Sequence, residues 1–243
     1  MNMETTFFSR GRHYRRIPAT AKEDYCAGLD IGQQSDPSAL SILRRKVTPL
    51  ETWTETRREP GENMFSILKQ DVTDVFEVVY LQRLPLHMEY PAQVNFVYEV
   101  LARPPLHGKI KVYADQTGCG AAVCDLFERA GLDLVRVLIG AGFEPVRHSH
   151  NRWAVPKSDL ITPLDALIAT DSLHVAPALA EAEALREELK DFKRTVSETG
   201  RSSYSARSGK HDDLVLSISL AVFGLQGARR GGEFSQGWVK GLY

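Results

Sequence analysis

Apolar residues alternate in short runs through the first third of the chain and then fall into helical spacing. Tyr25 to Ile31 reads as a strand, and Ala39–Arg45, Leu50–Arg57 and Phe76–Leu84 continue the pattern, which predicts an antiparallel meander. Asp36-Pro37 marks the turn after the first strand. From Pro91 the period changes: Val94, Val97, Tyr98 and Leu101 recur on one helical face up to Ala102, and Pro91 suits a first turn. A strand over 109–114, a helix over 121–130 closed by Gly131, and a strand over 134–139 follow; that order requires a parallel crossover. Helices are predicted over 156–169, 178–190 and 211–225, a short strand at 174–175, and a hairpin over 192–207 with a loose tip at 197–203. The sum is an α/β fold with a mixed sheet, in one domain over 24–226. Residues 1–23 are polar, basic and aperiodic, and 227–243 hold five glycines; a flexible arm and a flexible tail are expected there.

Asp30 breaks this pattern. It lies late in the first apolar strand, in Gly28-Leu-Asp-Ile-Gly-Gln-Gln-Ser-Asp-Pro-Ser-Ala-Leu, where a carboxylate loses hydration it cannot easily replace. Asp115 closes the strand Lys-Ile-Lys-Val-Tyr-Ala, and Asp212 and Asp213 open the last helix, with Ser217 on the face of Asp213. Ligands of such sheets gather beyond strand ends. If the strands ending at Asp30 and Asp115 are neighbours, the two acids stand side by side, and the last helix brings Asp213 to them. Crowded carboxylates repel until their pKa values rise or a cation neutralises them. An all-oxygen donor set suits Mg²⁺ or Mn²⁺, and two such ions about 3.5–4 Å apart activate water against a phosphodiester. Each acid alone has a simpler reading: Asp115 as a cap for the helix after Gly118, Asp212 as an N-cap of the last helix. Their conjunction, in this order, is what points to metal.

Overall charge adds little: 30 basic against 31 acidic side chains leave a net −1, so no polyanionic partner follows from the total. The basic residues are clustered, however, and clusters can hold phosphates locally. Arg201, Arg207 and Lys210 precede the last helix, Arg147 and Arg152 follow the strand over 134–139, and Lys157 heads a helix that can face the same cleft. A solvated face is the plainer reading of any one cluster. Trp153 is expected in the core. The cysteines, Cys26, Cys119 and Cys124, are odd in number and lack CxxC spacing, which argues for reduced thiols in a cytoplasmic setting. No run of about 18 apolar residues exists, so no membrane span is expected.

Three segments together carry a family resemblance. Gly-Leu-Asp-Ile-Gly-Gln-Gln-Ser-Asp-Pro-Ser-Ala-Leu resembles the first nuclease motif of the terminase large subunits of tailed bacteriophages and prophages. Tyr-Ala-Asp-Gln-Thr-Gly-Cys-Gly resembles the second motif, and Gly-Lys-His-Asp-Asp-Leu-Val-Leu-Ser-Ile-Ser-Leu-Ala the third. The likeness runs from about Tyr25 to Leu225. It implies a ribonuclease H-like mixed sheet with helices on both faces, and a two-metal endonuclease that cuts double-stranded DNA during genome packaging in the bacterial host's cytoplasm. Asp30, Asp115 and Asp213 would then be metal ligands, Asp212 would assist or exchange with Asp213, and His211 would orient a water or a carboxylate. Residues around Thr195 to Arg207 correspond to a loop that meets DNA, through Arg201, Arg207 and Lys210 first and Arg147 and Arg152 second. The implied partners are an ATPase motor, a portal and a small terminase. One departure is large: no GxxxxGK[ST] phosphate loop is present, so this chain has no motor of its own.

Three other classes fit parts of the pattern. Nucleotide-binding proteins of the actin and sugar-kinase type share Gly-x-Asp-x-Gly but need two lobes and a second glycine-rich turn. A Holliday-junction resolvase-like nuclease would share fold and chemistry but act on branched DNA. A non-catalytic DNA-binding module would bind without metal-dependent cutting.

Overall fold

Strand pairing extends the elements well past the apolar runs that nucleate them. The computed structural model describes residues 4–9, 12–32, 36–56, 65–107, 110–118, 120–140, 142–191, 193–196, 202–205 and 212–226. The chain divides into two compact units, Met1–Asp24 with Arg45–Phe76, and Tyr25–Arg44 with Glu77–Tyr243.

In the smaller unit, β1 (Thr5–Ser9) and β2 (Arg12–Ile17) pair antiparallel, within the segment read as an arm. The strand β3 (Lys22–Asp30) begins here, as β4 (Ala39–Thr56) ends here and β5 (Phe65–Arg83) starts. β2 pairs with β5 in parallel, His13 opposite Phe65. Side-chain bonds step along β4 and β5 in opposite senses, Thr73 to the Thr48 carbonyl, Gln70 to that of Leu50 and Thr56 to that of Ile67, as an antiparallel pair requires. Arg45 grips Asp74 with two bonds of 2.8 and 2.5 Å and lies over the Phe76 ring. The two strands expected over 39–45 and 50–57 are therefore one, and the strand expected from Phe76 starts at Phe65. Polar residues at alternate positions hid this ribbon, because pairing rather than apolar burial holds it.

The larger unit carries the sheet order β5-β4-β3, then β6 (Lys111–Asp115), β7 (Leu134–Gly140), β9 (Arg152–Pro156) and β8 (Val146–Ser149). β3, β6, β7 and β9 are mutually parallel and β8 is antiparallel to β9; the short β8 and β9 were not foreseen. Helices α1 (Tyr90–Leu101) and α2 (Gly120–Arg129) cover one face through Val94, Val97, Val123 and Phe127, which share a core with Leu29, Val112 and Ala114. The remaining elements are α3 (Lys157–Ala169), β10 (Leu173–Val175), α4 (Ala182–Asp191), the hairpin β11 (Lys193–Val196) with β12 (Ser202–Ser205), and α5 (Asp213–Gln226). Helix α4 starts four residues later than expected, because residues 178–181 form a turn in which Leu179 donates to the Ala176 carbonyl. Trp153 is buried edge-on to Phe223 of α5, as is Tyr113, so α5 lies on the face opposite α2.

Helix α5 is apolar all round and is buried all round. Two glycines let it approach the sheet closely. A Cβ on Gly28 would fall 1.8 Å from the Ser217 carbonyl oxygen, and one on Gly224 would fall 2.4 Å from Cys26 Sγ. Main chain therefore meets main chain at Gly28, while at Gly224 the helix backbone rests on the side chains of Cys26 and Tyr113. Ser217, on the face of Asp213, supplies the carbonyl at the Gly28 contact.

Candidate metal centre

Asp30 and Asp115 are the last residues of adjacent parallel strands. The register pairs Leu29 with Ala114, and one further step sets Asp30 beside Asp115. Beyond Asp30 the chain folds tightly: Gly32 donates to the Ser38 hydroxyl at 3.0 Å, and a Cβ at Gly32 would fall 2.1 Å from the Asp36 carbonyl oxygen. Beyond Asp115, Thr117 turns back and donates both its N–H (2.8 Å) and its hydroxyl (2.5 Å) to Asp115 Oδ1. Gly120 then opens α2, its Cα so close to the Asp115 carbonyl oxygen that a Cβ would fall 2.5 Å from it. The carboxyl of Asp115 thus shapes the turn into α2, and this coexists with its place at the sheet edge.

The two acids of the last helix diverge. The Asp212 carbonyl accepts the first helical bond of α5 from Leu216 at 2.8 Å, so its backbone is in the N-cap position. Its side chain does not cap; Lys157 Nζ, at the start of α3, donates to Asp212 Oδ2 at 2.6 Å. The cap comes instead from α4, where Glu188 accepts the N–H groups of Leu214 (3.4 Å) and Val215 (3.0 Å). Asp213 is buried, with Arg83 Nε 3.6 Å from its Oδ2, and Arg83 also pairs with Glu188 and Glu181.

Electrostatics tie the set together. Burial holds the Asp30 carboxyl well above the usual carboxylate range, and Asp115, Asp213 and Asp212 push it the same way, in that order; Lys157 opposes them. Burial also raises Asp115, against the two Thr117 bonds and Lys157. Burial pushes Glu188 up to about 7, although Val215, Arg83 and Leu214 favour its charged form. Four aspartates therefore share one negative neighbourhood at the carboxyl end of β3 and β6. Among the described residues, no three carboxylate, imidazole or thiol groups stand as a closed ligand set.

No protein-family model matches the chain, and no curated protein matches it in sequence. Solved structures do. The large terminase nuclease from thermophilic phage G20c with bound cobalt is 22% identical over 83% of this chain and 81% of that chain, at a TM-score of 0.52. The same nuclease with bound magnesium is 21% identical over 82% and 80%, at 0.50. The Thermus phage P74-26 large terminase nuclease domain is 21% identical over 82% and 78%, also at 0.50.

The fold is that of the large terminase nucleases. It is ribonuclease H-like, a mixed sheet with helices on both faces, as the three segments implied. Within this terminase-nuclease fold the aspartates expected to meet, Asp30, Asp115, Asp212 and Asp213, lie at one end of the sheet. An all-carboxylate donor set around a buried aspartate, raised by burial and then by its neighbours, is of the kind that suits a hard divalent cation. His211, Arg201, Arg207 and Lys210 lie outside the described residues. Arg147 donates to the carbonyls of Ser149 (3.0 Å) and His150 (3.1 Å) and sits over the Trp153 ring. Arg152, next to inward-facing Trp153, points to the α2 face, where its charge acts on Asp125 and Glu128. Both arginines are solvent-exposed. Sequence reading missed Arg83, Glu188 and Thr117. Only Glu188 left a trace, three residues after buried Leu185 on the inner face of α4.

Proposed function

We propose that this chain is a divalent-metal-dependent endonuclease that cuts double-stranded DNA during viral genome packaging, as the nuclease portion of a terminase large subunit. The observation that carries the reading is the buried Asp30, at the end of β3, whose carboxyl burial first, and three other aspartates after it, hold above its ordinary range. The likeness to nucleases with bound magnesium and cobalt supports it.

On this reading Asp30, Asp115, Asp213 and Asp212 hold Mg²⁺ or Mn²⁺, two ions in all, and His211 orients a water or a carboxylate beside them. The ions, when bound, supply charge stabilisation for a phosphodiester and an activated water. The chain's own residues do the positioning. Thr117 fixes the Asp115 carboxyl, the Glu188 and Arg83 pair fixes the first turn of α5, and the close contact of β3 with α5 sets the spacing between strand and helix acids. Arg201, Arg207 and Lys210 hold backbone phosphates, with Arg147 and Arg152 farther out, so affinity falls steeply with salt and sequence preference is weak. The ATPase motor, portal and small terminase act on the same DNA from other chains or domains, in the host cytoplasm. Among the described residues no helix is long and apolar enough to cross a membrane.

Supercoiled plasmid incubated with Mn²⁺ tests the proposal. The wild-type chain nicks and linearises it, while Asp115→Asn does not. An Asp115→Asn variant that cuts at the wild-type rate would refute the assignment.

A further inference from the structure

Lys157 breaks a local rule. It is the first residue of α3, where a positive charge opposes the helix dipole, and a helix N-terminus ordinarily favours Asp or Glu. Something must compensate, and what stands there is the acid cluster. Its Nζ donates to Asp212 Oδ2 at 2.6 Å, and the two side chains are 30% and 23% exposed, at the border between the fold and solvent. The same ammonium lowers the proton affinity of both Asp30 and Asp115. The topology explains how one cation serves three acids on three elements. Pro156 ends β9 opposite Gly140 of β7, next to β6, and Pro156 is also the N-cap of α3, which packs along α5. Lys157 is thereby delivered to the carboxyl end of the sheet, facing the start of α5.

We propose that Lys157 is a built-in counter-ion of the acid cluster, one that an incoming divalent cation must displace. The inference rests on the metal-site reading above and adds to it a device that sets metal affinity. A lysine suits the task because its charge is compact and its four-carbon stem can swing the head into solvent. In the absence of metal the ammonium offsets part of the repulsion among Asp30, Asp115 and Asp212 and keeps them from closing on a common point. When the cation enters, its double charge replaces a single one. Affinity is thereby held down, and the chain folds with its acids at hand before metal arrives.

Mn²⁺ binding to the whole chain without DNA, by titration calorimetry, together with thermal melts in EDTA and in Mn²⁺, tests this. Lys157→Met is expected to bind Mn²⁺ about tenfold tighter, since a like charge a few Å from the ion is removed. It is also expected to melt lower than wild type in EDTA and to gain more from Mn²⁺, while Lys157→Arg stays near wild type in all three. Equal or weaker Mn²⁺ affinity in Lys157→Met overturns the proposal. If that variant is unfolded in EDTA, recovery by Mn²⁺ supports it and failure to recover overturns it. A wild-type chain that binds no Mn²⁺ sinks the metal-site reading and this inference together. A wild-type chain that binds Mn²⁺ with the same affinity as Lys157→Met sinks this inference alone.

Discussion

Two charge clusters in the larger unit each centre on a buried charged side chain, Arg136 in one and Asp30 in the other, and behave in opposite ways. On the α2 face, Arg136 of β7 is almost wholly buried, and its guanidinium donates to Glu128 (2.9 and 2.5 Å) and to Asp125 (2.6 Å). Every member gains by being charged: the Arg136 bond holds Asp125 and Glu128 below the usual carboxylate range, and Arg136 is raised in turn. At the end of β3 and β6, Asp30 is buried among three more aspartates with Lys157 as the cation opposing them. In the first cluster Arg136 bonds both carboxylates, and Arg129 and Arg152 add positive charge beside Asp125. The second, four aspartates with Lys157 at Asp212 and Arg83 at Asp213, has more acids than cations, an imbalance that the proposed metal would offset.

The largest effect that would break this contrast is on cutting. Asp30→Asn and Asp115→Asn should each lower Mn²⁺-dependent plasmid cleavage by about a thousandfold or more while melting at or above the wild-type temperature, because each removes repulsion. Asp30→Asn that both cuts and melts like wild type would erase the distinction between the clusters. Next comes stability on the other face. Arg136→Met should cost roughly 2 kcal/mol in urea unfolding, through loss of the guanidinium bonds to Glu128 and Asp125, yet leave the cleavage rate per folded molecule unchanged.

Acid and base titrations of metal-free protein should separate the clusters by sign. Asp125 and Glu128 have lowered folded pKa values, so their contribution is present above the ordinary carboxylate range and is lost as pH falls below it. Glu188, raised from 4.5 to about 7, binds its proton more tightly when folded, as does Asp30. The Glu188 contribution is complete below about pH 4.5 and is lost as pH rises through about 7. Glu188→Gln should flatten the neutral limb of the stability profile and leave the acid limb in place; an unchanged neutral limb would show that Glu188 does not carry it. The smallest effect is the control. Arg186 and Glu183, an exposed pair on α4 at 3.0 Å, should matter by less than about 0.5 kcal/mol when Arg186 becomes Ala, as read from the same urea curves.

What was legible in the sequence follows the same physics. Asp30 was conspicuous because a carboxylate interrupts an apolar strand, and Asp115 because it ends one; both signals are local. The crossover from β6 through α2 to β7 and the buried α5 were equally local, written in periodicity. The ribbon of β4 and β5 was not, since its polar residues gain strand form only by pairing with each other. Nor was the capping of α5 by Glu188, which joins residues 27 positions apart in the chain. Asp212 looked like a helix cap and is one in its backbone, but its side chain answers to Lys157, 55 positions away. Sequence spacing carries what a residue does to its own element and is silent about which distant charge it meets.

The contact at Gly28 has one more implication. Where peptide groups touch directly, no rotamer lies between the two supports, so the span from a strand-borne acid to a helix-borne one is set by bond lengths rather than by how neighbouring side chains happen to fill space. Hydrophobic residues elsewhere in this unit can drift through many substitutions without changing that span, whereas a single methyl group at Gly28 would pry the two supports apart.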